Sequence, residues 1–108
     1  MRELRDLRSI QFDADHDYYL SDFSDCDLRG VNFSGEDLRH TKFDWSDLRG
    51  ALFVECDLSG EVSFAFADLE GADFTNAILN LVAFEFANIE GAIFDEGLLE
   101  EIKELYGK

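Results

Sequence analysis

Large apolar residues recur at every fifth position along most of this chain. Residues 21–60 read as eight five-residue words: SDFSD, CDLRG, VNFSG, EDLRH, TKFDW, SDLRG, ALFVE and CDLSG. The third letter of each word is a large apolar residue, and the series alternates: Phe23, Leu28, Phe33, Leu38, Phe43, Leu48, Phe53, Leu58. A helix repeats about every 3.6 residues and a strand about every 2, so neither generates a period of five. A fixed period longer than both predicts a stacked-repeat architecture.

The beat extends in both directions. Backwards it reaches Tyr18, Phe12 and Leu7, with one extra residue near Asp15; forwards it resumes at Phe64 after one extra residue near Glu61 and runs to Leu99. The repeat therefore spans about residues 5–99. Two positions before each centre the residue is mostly small, as at Cys26, Val31, Thr41, Ser46, Ala51, Cys56, Ala67 and Ala72. The residue between is often Asp or Asn. Small and large residues two apart point to one side of an extended segment, with the polar one facing out. Two residues then turn the corner, which predicts an all-β solenoid whose core is a column of repeated side chains.

Features recurring every fourth word predict four words per coil. Gly30, Gly50, Gly71 and Gly91 share one corner position, which suits a corner needing φ > 0. Asp6, Asp27, Asp47, Asp68 and Asn88 form one column, and Arg8, Arg29, Arg49, Glu70 and Glu90 the next. Phe then lies on two opposite faces, as Phe23, Phe43, Phe64, Phe84 and as Phe12, Phe33, Phe53, Phe74, Phe94. The expected aspartate role is to accept hydrogen bonds from backbone N–H groups at the turns.

The words ADLEG, ADFTN, CDLSG and SDLRG resemble the A(D/N)Lxx pattern of the pentapeptide-repeat family. That resemblance implies a right-handed quadrilateral β-helix of about five coils, a single domain over residues 1–108. The last stretch, DEGLLEEIKELYGK, predicts a C-terminal capping helix over about residues 96–106, with Asp95 near its start. Leu98, Leu99, Ile102, Leu105 and Tyr106 lie along one side. In this family such a helix often forms a dimer contact, so the resemblance implies a homodimer through the C-terminal end.

Composition and charge narrow the function. Of 108 residues, 46% are apolar, proline is absent, and the formal net charge is −16. Such acidity opposes binding to nucleic acid, which rests on neutralising phosphates with Lys and Arg. No apolar run is long enough to span a membrane, and the start, MRELRDLRSI, lacks the core of a signal peptide. Two cysteines fit a reducing compartment, so the expectation is a cytoplasmic protein. From Arg49 to Lys103 no basic residue intervenes, while Asp57, Asp68, Glu70, Asp73, Glu85, Glu90, Asp95 and Glu96 form an acidic surface.

No catalytic constellation emerges. Cys26 and Cys56 read as buried small hydrophobes. His16 and His40 have no partner at metal-ligand spacing, so no metal or cofactor is expected. Glu36 breaks the pattern at an inward position, which predicts a bulge, a paired carboxylate or a neutral one. The outer position after Phe23 and its column mates reads Asp25, Trp45, Phe66, Phe86, so three aromatics would stack down one outer edge. Such a strip is a candidate interface.

Two functions remain open, neither enzymatic. FSDCDLRG and FVECDLSG resemble words of Qnr-type and MfpA-type proteins, which implies a DNA mimic that binds and modulates type II topoisomerase (DNA gyrase). At about 4.8 Å per coil the rod is roughly 23 Å long, so its charge density is close to the one per about 1.7 Å of duplex DNA. The rod is short for that family group, and its insertions are single residues rather than loops. The alternative is a scaffold or protein-interaction module, natural or consensus-designed, with no topoisomerase role. It would bind through the aromatic edge or a face such as Leu52, Val54 and Ile93.

Overall fold

The computed structural model describes residues 3–10 and 21–106. The proposed centres Phe12 and Tyr18, the extra residue near Asp15, and His16 lie outside the described residues. Within them the chain winds by parallel pairing of segments 20 or 21 residues apart. β1 (Arg5–Asp6) pairs with β2 (Cys26–Asp27), and β3 (Asp57–Leu58) with β4 (Ile78–Leu79). Single bridges continue these ladders. Asp27 joins Asp47, Asp68 and Asn88 in turn, Asn32 joins Leu52, Asp73 and Ile93, Asp37 joins Asp57, and Asp22 joins Lys42 and Ser63. The result is a parallel β-helix. Its sheets are small because each word has only about three extended residues before the chain turns again.

The corners repeat one geometry. At most corners the N–H of a word's first residue donates to the carbonyl of the previous centre, as from Ala51 to Leu48 (3.0 Å) and from Ala67 to Phe64 (3.0 Å). The last letter of the word has positive φ, which together with that bond is the signature of a type II turn. Glycine fills the corner at Gly30, Gly50, Gly71 and Gly91, with φ of 70–71°. The glycine column is nevertheless not a special corner. Asp25, His40, Trp45, Glu55, Phe66, Asn76 and Phe86 adopt φ of 55–63° at the same word position. Aspartates and asparagines hold the turns in the expected way. Asp27 Oδ1 accepts the Arg29 N–H (3.3 Å), Asn32 Oδ1 the Ser34 N–H (2.9 Å) and Asp73 Oδ1 the Thr75 N–H (3.0 Å).

Inside, the rings of each of the two phenylalanine columns stack with their planes nearly parallel. Ring centroids are 4.9 Å apart for Phe33–Phe53 and Phe53–Phe74, and 5.0 Å for Phe43–Phe64. The columns meet edge to face, as in Phe43–Phe53 at 5.7 Å and 87°. Both arrangements suit the ring quadrupole. Leu28, Leu48 and Leu69 fill one remaining side and Leu38 and Leu58 the other, all buried. Cys26 and Cys56 are buried free thiols. Burial pushes the Cys56 thiol up to about 11, and it donates to the Phe33 carbonyl at 2.9 Å.

Two expectations are corrected. Glu36 causes no bulge: its N–H closes an ordinary corner onto the Phe33 carbonyl (3.1 Å), Asp37 keeps its bridge to Asp57, and Glu36 itself is only half-buried. The terminal helix α1 is Leu98–Tyr106, beginning two residues later than expected. Gly97 takes φ of 88°, and the Asp95 carboxylate is turned away from the helix to accept the Asn76 N–H (3.0 and 3.1 Å). The apolar side of α1 is only partly buried. Ile102 is 1% exposed and Tyr106 half-buried, whereas Leu105 is 53% exposed. α1 packs on a 3-10 turn at Leu81–Phe84. No helix among the described residues is long and apolar enough to cross a membrane.

Candidate functional site

The aromatic edge is built by the corners. Positive φ at Trp45, Phe66 and Phe86 swings each side chain outward, and the coil spacing sets the rings one above another. Trp45 and Phe66 stack with centroids 4.3 Å apart and planes 3° from parallel; Phe66 and Phe86 follow at 4.9 Å and 19°. They are 44%, 45% and 69% exposed. Asp25 occupies the same corner one coil earlier with φ of 55°, so the backbone does not require an aromatic there. A bulky residue in the left-handed region costs on the order of 1 kcal/mol, which glycine or asparagine would avoid. Leu52 and Ile93 share another ladder and are also exposed, while Val54 is half-buried.

Charge is organised along the same axis. In the N-terminal half four arginines close on the aspartate two residues before them: Arg8 on Asp6 (2.8 Å), Arg29 on Asp27 (2.8 Å), Arg39 on Asp37 (2.7 Å) and Arg49 on Asp47 (2.7 Å). Each also leans toward the aspartate of the neighbouring coil, as from Arg29 to Asp47 and from Arg49 to Asp68, both 3.8 Å. The guanidiniums of Arg29 and Arg39 hold the Asp27 and Asp37 carboxyls below their usual range, and hydrogen bonds from Ser24 do so for Asp22.

This ladder stops at Asp68, where the next residue in the arginine column is Glu70. Asn88 takes over and donates from Nδ2 to Asp68 Oδ1 at 3.1 Å. Residues 50–108 carry thirteen carboxylates against two lysines, a formal −11 of the total −16. Glu70, Glu85, Glu90 and Glu96 are exposed. Asp57, Asp68, Asp73 and Asp95 are half-buried and committed to turn or ladder contacts with Ser59, Glu70, Thr75 and Asn76. The acidic surface expected from the sequence thus divides into outward glutamates and aspartates spent on the backbone.

Sequence patterns missed the brace at the inserted corner. Gly60 has φ of 80°, and a Cβ there would lie 2.7 Å from His40 Cε1. His40 Nδ1 accepts the Glu61 N–H (3.1 Å), and Asn80 Nδ2 donates to the Gly60 carbonyl (2.6 Å). The available signal was His40 in a corner position one coil before the extra residue. Among the described residues no group of three His, Cys, Asp or Glu side chains is placed to hold a metal ion.

The family model for pentapeptide repeats matches in eight copies over residues 21–60 and 61–95. Among solved structures, a pentapeptide repeat protein of Nostoc PCC 7120 is 29% identical, over 66% of this chain and 62% of its own, with a TM-score of 0.41. This chain therefore spans less than two thirds of that relative's length. A pentapeptide repeat protein of the Arabidopsis thaliana thylakoid lumen is 20% identical, covering 74% of this chain and 75% of its own, with a TM-score of 0.33. One from the cyanobacterium Cyanothece 51142 is 20% identical over 60% of each chain, with a TM-score of 0.20. No curated protein matches the sequence.

Proposed function

Because this chain belongs to the pentapeptide-repeat family, whose members fold as right-handed β-helices, we propose that it is a non-enzymatic protein-interaction module. In this reading its four ladders are the faces of a quadrilateral coil, stacked about five deep. The observation that carries it is the Trp45–Phe66–Phe86 stack. Large rings are held in solvent, at corners where Asp25 shows that a small polar residue also works. Strain kept at exposed positions, together with aromatics that anchor interfaces, supports a binding edge. Two buried thiols suit a reducing compartment, and a cytoplasmic location belongs to this proposal. The test compares wild type with the Trp45→Ser, Phe66→Ser double variant in pull-downs from cytoplasm and in light scattering. The expected result is loss of partner or of self-association with the thermal melt retained. A folded variant with unchanged partners and unchanged mass would overturn it.

A second reading is favoured by the charge distribution. The Arg–Asp ladder neutralises part of the N-terminal half and leaves the −11 half as a concentrated anionic field. A basic saddle built for DNA would be attracted to it, so DNA mimicry toward type II topoisomerase stands as the alternative. It predicts inhibition of gyrase supercoiling at micromolar protein, weakening as salt rises. Unaltered supercoiling under those conditions removes it.

A further inference from the structure

The closed end of the solenoid holds an apolar groove. α1 is pinned to the last coils by Ile102 and by Tyr106, whose hydroxyl accepts the Phe84 N–H (3.2 Å) and donates to the Leu81 carbonyl (3.1 Å). Beside that anchorage lies a groove of about 490 Å³, walled by Phe86 and Ile89 on the coil side and by Ile102, Leu105 and Tyr106 on the helix side. Phe86 and Leu105, the most exposed of these, form its lips. Two charges, Glu85 and Lys103, stand in the lining.

The surroundings select the occupant. Glu100, Glu101 and Glu104 are exposed on the helix that forms one wall, and Lys103 is the one basic residue in the span 50–107. A second copy would bring the same acidic end of the chain against itself, and an anionic lipid surface would be repelled in the same way. A cationic partner gains from both the acidic surroundings and the exposed Phe86 ring. An apolar groove beside a helix takes an amphipathic segment through a few anchor side chains. We propose that this groove docks a basic amphipathic segment of a partner protein, its apolar side chains seated between Phe86 and Leu105 and its Lys or Arg side chains drawn by Glu85 and the surrounding field of the α1 glutamates. The proposal rests on the interaction-module reading above and names the chemistry of one partner.

The test uses the full chain and three synthetic probes. One is a helical peptide of leucine and lysine, one its leucine–glutamate counterpart, and one a glycine–lysine peptide of equal positive charge. Fluorescence anisotropy is expected to show saturable binding of the leucine–lysine probe alone, weakening as salt rises from about 0.05 to about 0.5 M. Amide shifts in NMR spectra should cluster at residues 86, 89 and 105. Leu105→Ser, at an exposed position that leaves the core intact, should weaken binding at least about tenfold, the worth of one apolar anchor. Joint replacement of Glu100, Glu101 and Glu104 by Gln should do likewise at low salt.

The proposal is overturned by equal binding of the glycine–lysine probe, by an unchanged Leu105→Ser, or by no binding at all. Sedimentation showing a dimer that Leu105→Ser dissociates overturns it too, since the groove then holds a second copy. The Trp45→Ser, Phe66→Ser variant should bind the probe as wild type does. If the probe fails while that variant still loses its cellular partner, the groove falls and the aromatic-edge reading stands.

Discussion

Replacing Ser46 with alanine removes one oxygen and almost no volume, yet it should be among the costlier small changes in this chain. Ser46 is 2% exposed. Its Oγ accepts the Cys26 N–H at 3.0 Å and donates to the Phe23 carbonyl at 2.5 Å. At neighbouring corners the equivalent N–H and carbonyl bond each other directly, as Ala51 does with Leu48. At Phe23–Cys26 the hydroxyl of the next coil is inserted between them. Alanine strands a buried donor and a buried acceptor, at about 1–3 kcal/mol for each group left unsatisfied. If the corner relaxes and closes directly, it recovers one bond worth about 1 kcal/mol. The expected net loss is about 2 kcal/mol, which at a urea slope of about 1–3 kcal/mol/M lowers the midpoint by about 1 M. Urea titration followed by circular dichroism and by Trp45, the single tryptophan, measures it. Ser46→Cys should fall between the two, because Cys56 already makes the corresponding thiol bond to Phe33. A loss under about 0.5 kcal/mol with an unchanged slope would show that the corner closes unaided, which refutes the reasoning.

Other perturbations follow from the same geometry. Gly60→Ala should cost about 1–2 kcal/mol more than Gly50→Ala in thermal or urea unfolding, because Gly60 is closed in by His40 whereas a Cβ at Gly50 meets nothing within 4 Å. Phe53→Ala should cost about 3–5 kcal/mol, since Phe53 is fully buried with rings stacked on both faces. Phe94→Ala should cost clearly less, because Phe94 is half-buried at the end of the same column; equal urea midpoints would contradict a stacked core. Asp22, Asp27 and Asp37 titrate below their usual 3.8 in the folded protein. The unfolded chain therefore takes up protons first, so their contribution is present above about pH 4 and lost as pH falls through the lower folded values. Urea midpoints measured downward from pH 5 should show this acid loss, with a shallower fall in Asp27→Asn.

Much of the fold was legible because the period of five leaves few alternatives. The Phe and Leu centres, the small inward residues and the turn aspartates each recur often enough to identify their side of the coil. The aromatic edge was legible for the same reason, since Trp45, Phe66 and Phe86 share one word position. Less legible were residues whose role depends on a neighbour one coil away. Ser46 reads only as small, His40 only as a corner residue, and Asp95 as the start of a helix. In the structure each reaches a backbone group about twenty residues distant, to Phe23, Glu61 and Asn76 respectively. The apolar groove was also hidden, because helical periodicity places Leu105 with Ile102 on one side without saying how much of that side the last coil covers.

The sequence by itself determined the winding. A chain with an apolar residue every fifth position and a polar one before it can bury the first and solvate the second only by turning at fixed intervals. Tertiary structure decided which outward residues remain available. Stacking brings residues 20 or 21 apart into contact, so four arginines and most of the described aspartates are consumed by one another and by turn N–H groups. The Trp45–Phe66–Phe86 edge, the glutamates beyond Asp68 and the groove beside Leu105 are left facing solvent. That division depends on what lies one coil above and below, a distance along the chain that no local pattern measures.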